Sequence, residues 1–139
     1  MSSNKLYSEI LDDFKNCKTE EERINILRKY GDKNFRLFLE LIFDPNVVFD
    51  APLPQTYRPA IEPAGLNFTY LSSEVPKLYR FIKGHPKRSQ NLTPQKQTQL
   101  ISVILESLHK DEARLFVDMF NKDLKIKHLT LNLIRKAFE

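Results

Sequence analysis

A chain of 139 residues, 41% hydrophobic and 29% charged, can bury a core of its own and is too apolar to remain disordered. A single cysteine excludes an internal disulfide framework and a cysteine-based zinc cluster, and 3 glycines leave no phosphate-cradling run of the Gly-x-Gly-x-x-Gly or Walker type. The net charge of +4 is uneven: residues 1–69 carry 9 Lys/Arg against 11 Asp/Glu, whereas residues 70–139 carry 13 against 7.

Leu6, Ile10, Leu11 and Phe14 repeat at helical spacing and predict a first helix. Thr19 to Glu22 reads as a capping box, in which the Thr hydroxyl takes the Glu22 amide while the Glu22 carboxylate reaches back. It opens a second helix with Ile24, Leu27 and Tyr30 as its buried stripe, and Gly31 is expected to supply a left-handed stop. Asp32 caps a third helix that is apolar nearly all round (Phe35, Leu37, Phe38, Leu39, Leu41, Ile42, Phe43) and therefore central. It ends at Asp44-Pro45, because a residue before proline disfavours helix.

Residues 44–71 hold Pro45, Pro52, Pro54, Pro59 and Pro63, which preclude a long helix. Val47, Val48 and Phe49 suit a short extended piece, and Tyr57, Ile61, Leu66, Phe68 and Tyr70 are apolar pegs. An ordered loop strapped across the body is expected. Helix resumes at Ser73 with Val75, Leu78, Tyr79 and Ile82 buried and Gly84 closing it. Thr93-Pro94 starts the next helix, with Leu100, Val103, Ile104 and Leu108 on its buried face. A break near Lys110 leads to a helix carrying Ala113, Phe116, Val117 and Phe120. Thr130 caps a last helix with Leu133, Ile134, Ala137 and Phe138. The expected fold is all-α: a single bundle of about six to seven helices spanning 1–139, with three helices in 1–43, the proline-rich loop, and a basic helical half in 72–139.

Catalytic chemistry finds little footing. His85, His109 and His128 lack a ligand spacing such as His-x3-His and read as surface or helix-end residues. Cys17 has Lys15 and Lys18 nearby, which would lower its pKa, but a buried or incidental thiol is the stronger reading. The acid runs Asp12-Asp13 and Glu20-Glu21-Glu22 sit at helix ends and do not make a spaced carboxylate pair. No cofactor, metal or small-molecule substrate is expected. The apolar runs, such as Leu41-Ile42-Phe43, fall far short of the ~20 residues that cross a bilayer. With no apolar signal core near the start, a reducing intracellular compartment is expected.

The charge pattern says more. Between Val75 and Leu105 stand Lys77, Arg80, Lys83, Lys87, Arg88 and Lys96, and no acid. Such an electropositive stretch is the usual footprint of a phosphate-backbone partner, and on charge alone it nominates Lys83, Lys87, Arg88 and Lys96 as DNA contacts.

The C-terminal run carries a resemblance. Glu112-Ala113-Arg114-Leu115-Phe116-Val117-Asp118-Met119-Phe120-Asn121-Lys122-Asp123-Leu124 is followed by Lys125-Ile126-Lys127-His128-Leu129-Thr130, then Leu131-Asn132-Leu133-Ile134-Arg135-Lys136-Ala137-Phe138. It resembles the close of the N-terminal helical DNA-binding domain of phage-type ATP-dependent DNA ligases: a helix ending in Lys-Asp-Leu, a short turn, then a Ser/Thr-started helix ending in an aromatic. The order of the earlier helices, the proline loop and the basic break near Lys83–Leu92 is similar, and the chain is also similar to small proteins of T-even-like cyanophages that hold such a domain alone. The resemblance implies a non-enzymatic phage accessory protein on duplex DNA, in replication, repair or host takeover, within the infected host cytoplasm. It implies contacts by Lys122, Lys125, Lys127, His128, Thr130 and Asn132, and partners such as a sliding clamp, a ligase or a host protein. A protein-interaction module working through the 44–71 loop and a virion structural component are the alternatives. Two departures stand out. Lys127-His128 occupies the place where ligases carry a glycine, and no Asp-Gly of the nucleotidyl-transfer motif exists, so nick sealing is not expected.

Overall fold

The helix signals of the N-terminal third translate directly into structure in the computed structural model, which describes residues 5–58, 69–88 and 91–138. Its helices are α1 (Tyr7–Lys15), α2 (Glu20–Tyr30), α3 (Lys33–Phe43), α4 (Leu71–Glu74), a 3-10 helix (Val75–Phe81), α5 (Pro94–Ser107), α6 (Lys110–Phe120) and α7 (Leu131–Phe138). The fold is all-α, and no named strand occurs among the described residues. No helix of the described residues is long and apolar enough to cross a membrane.

The capping box forms as expected: Glu22 N–H donates to Thr19 Oγ1 at 3.1 Å, and Thr19 N–H donates to Glu22 Oε1 at 3.3 Å. Asp32 Oδ1 accepts from Phe35 N–H at 2.8 Å, and α3 buries Phe35, Phe38, Leu39, Leu41 and Ile42 at the centre of the core. Leu37 and Phe43 remain half-buried, as do Ile24 and Tyr30 of α2, where Leu27 alone is fully covered.

Gly31 is not a left-handed stop. Its φ is −80°, open to any residue. A Cβ at this position would stand 2.5 Å from the Leu27 carbonyl oxygen and 2.5 Å from the Phe138 ring. The glycine is there for close approach of α7 to the end of α2, and Arg28 adds a bond from Nε to Ala137 O at 2.7 Å.

The helix expected from Ser73 is a single α-turn followed by the 3-10 helix. Pro76 has no N–H to donate four residues back, so the tighter turn takes over. Ile82 then leaves helix altogether and pairs with Phe49 in an isolated antiparallel bridge. Gly84, at φ +74°, does adopt the left-handed conformation. In α5 the buried face is Gln97, Ile101, Ile104 and Leu105, with Leu108 just beyond. Val103, expected inside, is 64% exposed. The face is rotated because Gln97 belongs to it, its amide donating to Arg80 O at 3.3 Å.

One buried charge ties three elements together. Glu112 of α6 is 1% exposed, and its carboxylate accepts from Tyr7 N–H at 2.9 Å and Leu71 N–H at 3.0 Å. Both donors are first residues of helices, whose amides have no partner within the helix. Burial pushes the Glu112 carboxyl above the usual carboxylate range, while these two bonds pull it back.

Candidate nucleic-acid interface

The expected strap is real where it is described. Asp50 N–H donates to Phe81 O at 3.1 Å, Lys83 N–H donates to Val48 O at 2.8 Å, and Thr98 Oγ1 donates to Pro52 O at 2.9 Å. Val47, Phe49, Leu53 and Tyr57 pack against the core and Ala51 is buried, so Tyr57 fills the underside of the loop. The pegs Ile61, Leu66 and Phe68 lie outside the described residues.

These bonds place the basic stretch on mutually anchored segments. The 3-10 helix carries Lys77 and Arg80, the bridge carries Lys83, the turn after Gly84 carries Lys87, and the first turn of α5 carries Lys96. The turn is organised by His85, whose Nδ1 accepts from Lys87 N–H at 3.0 Å. Thr93 Oγ1 accepts from Lys96 N–H at 3.2 Å, which starts α5. Lys77, Lys83, Lys87 and Lys96 are all exposed, and none makes an ion pair among the described residues. Arg80 lies over the Phe81 ring at 5.2 Å with its Nε on Lys77 O at 3.0 Å.

Arg88 has a different position. Its side chain is 19% exposed and donates to the Asp50 carboxylate and to Ile82 O. It neutralises the acid of the strap that lies beside this basic surface.

The turn between α6 and α7 puts its charge to mixed use. Lys122 Nζ donates to the carbonyls of Asp44 and Val47, and burial pushes its pKa down. Thr130 Oγ1 accepts from Leu133 N–H at 3.2 Å, capping α7. Lys125 lines a groove of about 390 Å³ with Lys15, Arg114, Asp12, Asp111 and Asp118, so its surroundings are of mixed sign. Burial pushes the Asp118 carboxyl up, and Lys125 and Arg114 oppose that shift. Lys127, His128 and Asn132 are exposed. Lys122, Lys125 and His128 have φ of +55°, +58° and +71°, a left-handed conformation that side chains rarely adopt.

The segment from Asp44 to Asp50 joins the two groups. Lys122 holds the carbonyl of Val47, and Lys83 N–H holds that of Val48. The Lys122 side chain and the Lys83 backbone thus bind adjacent carbonyls of one short segment.

Cys17 does not show the lowered pKa that neighbouring lysines would give. Burial raises its thiol pKa and Glu22 adds to it, while Arg23 opposes and Lys15 and Lys18 contribute nothing resolved. Its Sγ donates to Asp13 O at 3.4 Å. Among the described residues no group of three or more His, Cys, Asp or Glu is placed to hold a metal ion.

For two residues the sequence signal is incomplete. Lys77 was visible only as a member of the acid-free run. The carbonyl-binding role of Lys122 had no local signal, because its partners lie 75 and 78 residues away. A family model described as "Family of unknown function (DUF6433)" matches residues 10–126. No curated protein and no solved structure matches the chain.

Proposed function

The chain belongs to the DUF6433 family, whose function is unknown, and on the strength of its own surface we propose that it is a non-enzymatic protein that binds duplex DNA. The observation that carries this reading is the set of exposed lysines at positions 77, 83, 87 and 96, without ion pairs among the described residues, on segments hydrogen-bonded to one another, with Asp50 already neutralised by Arg88. Exposed ammonium groups displace counterions from a phosphate backbone, which gives sequence-tolerant and salt-sensitive affinity. Lys127, His128 and Asn132 form the second contact group.

The likeness to the ligase N-terminal domain gains support from His128. At φ +71° it takes a glycine-like conformation in the turn where those domains carry glycine. Left-handed non-glycine residues are costly, and three of them between positions 122 and 128 point to a turn shaped for a purpose. By the same likeness, the setting is phage replication, repair or host takeover, in the host cytoplasm.

The test is a titration of labelled duplex and nicked DNA over a range of salt. Binding at low salt with a steep negative slope of log K against log salt is expected. The triple variant Lys83→Ala, Lys87→Ala, Lys96→Ala should lower that slope by about 3. Absence of binding at low salt, or a slope the triple variant leaves unchanged, would overturn the reading.

A further inference from the structure

A second surface is built for another kind of partner. Between α3 and α7 runs a groove of about 310 Å³ whose apolar lining includes the half-buried Phe43, Leu131, Ile134 and Phe138. Its α3 side presents positions 36, 40 and 43, and its α7 side presents 131, 134 and 138. Each set spans two helical turns on one face. A groove walled by two such faces fits the apolar stripe of a third helix.

Charge decides which helix. Arg36 stacks over the Phe138 ring at 4.6 Å and gives its Nε to Gly31 O at 2.8 Å, which leaves its terminal amino groups without a partner among the described residues. Arg135 is exposed and makes neither a hydrogen bond nor an ion pair among them. The acid in the lining is Glu40, so the groove carries an excess of positive charge.

We infer that the α3–α7 groove docks an amphipathic helix of another protein, with apolar residues at i, i+3 or i+4, and i+7 and carboxylates on its flanks that meet Arg36 and Arg135. The groove shares no residue with the lysine surface at 77–96, so a partner seated here leaves that surface open.

The experiment uses the full chain and two synthetic helical peptides with the same leucine stripe, one flanked by Glu and one by Lys. Fluorescence anisotropy reads affinity, and amide NMR shifts locate the contact. The Glu-flanked peptide should bind, shifting Phe43, Leu131, Ile134 and Arg135, at least about tenfold more tightly than the Lys-flanked one. Arg135→Glu, an exposed change that leaves the helix intact, should abolish or invert that preference. Ile134→Asp should weaken both peptides, and its melting temperature separates lost docking from lost folding. Equal affinity for both peptides, shifts that map elsewhere, or sedimentation showing that a second copy of the chain occupies the face would overturn the inference.

Discussion

In the stretch from Lys77 to Lys96 the backbone, His85, Arg80, Arg88 and Thr93 make the structural bonds, and the ammonium groups of Lys77, Lys83, Lys87 and Lys96 are exposed. In the turn from Lys122 to Asn132 side chains make those bonds themselves: Lys122 grips two carbonyls, Thr130 caps a helix, and Lys125 lines a groove of mixed charge. A cation is available to a ligand only when the fold does not need it. The two stretches therefore differ in how their charges are bonded more than in composition, and Arg88 shows that the distinction applies residue by residue.

Substitutions at three positions test that division between polar groups built into the fold and charge left free. The largest effect is expected from Glu112→Ala, which strands the first amides of α1 and α4 without acceptors. It should lower stability by about 3 kcal/mol in urea unfolding, and a loss below about 1 kcal/mol would mean that water replaces the carboxylate. The pH dependence sharpens this. Because burial raises the native pKa, the folded state binds the proton more tightly than the unfolded chain does. Stability is therefore lost as pH rises from the ordinary carboxylate range through the raised native value, and is regained on acidification. Glu112→Gln should remove that component, so the wild type gains on the variant as pH falls from neutral.

Lys122→Met is expected to destabilise by about 2 kcal/mol, since it frees the Asp44 and Val47 carbonyls from a charged donor. The slope of DNA affinity against salt should not change. A reduced slope with unchanged stability would place Lys122 among the free cations. Thr130→Ala is the mildest of the three, about 1 kcal/mol through loss of the α7 cap, again with DNA binding intact.

The helices that announced themselves in sequence did so through local chemistry. Thr19, Asp32, Thr93 and Thr130 cap what they were expected to cap, because a cap and its amide lie within three residues. The misreadings at Val103, Gly31 and Ile82 each involve a partner distant in sequence. Val103 and Ile101 are equally apolar, and only the seat of Gln97 on Arg80 fixes which one turns inward. Gly31 resembles a helix stop until Phe138 is seen against it. Ser73 to Ile82 has helical spacing, yet Pro76 tightens its backbone and Phe49 draws Ile82 into a bridge. For the candidate interface the sequence located the basic stretch but could not separate Lys83, Lys87 and Lys96 from Arg88, since that required knowing where Asp50 lies.

The contact of Gly31 with Phe138 has a consequence for the order of assembly. The second helix buries a single side chain completely, and the last helix covers part of its inner face. On a ribosome, that cover is synthesised more than 100 residues later, as the 109-residue span of the Arg28–Ala137 bond records. The segment that emerges early must wait, partly uncovered, for the segment that emerges late. Closure of this long loop is an entropic step that precedes its reward, so docking of the C-terminal helix is expected to complete folding rather than start it. Amide exchange should then find the two helices opening together, as one cooperative unit, before the helical centre built on Phe35 and Phe38 gives way.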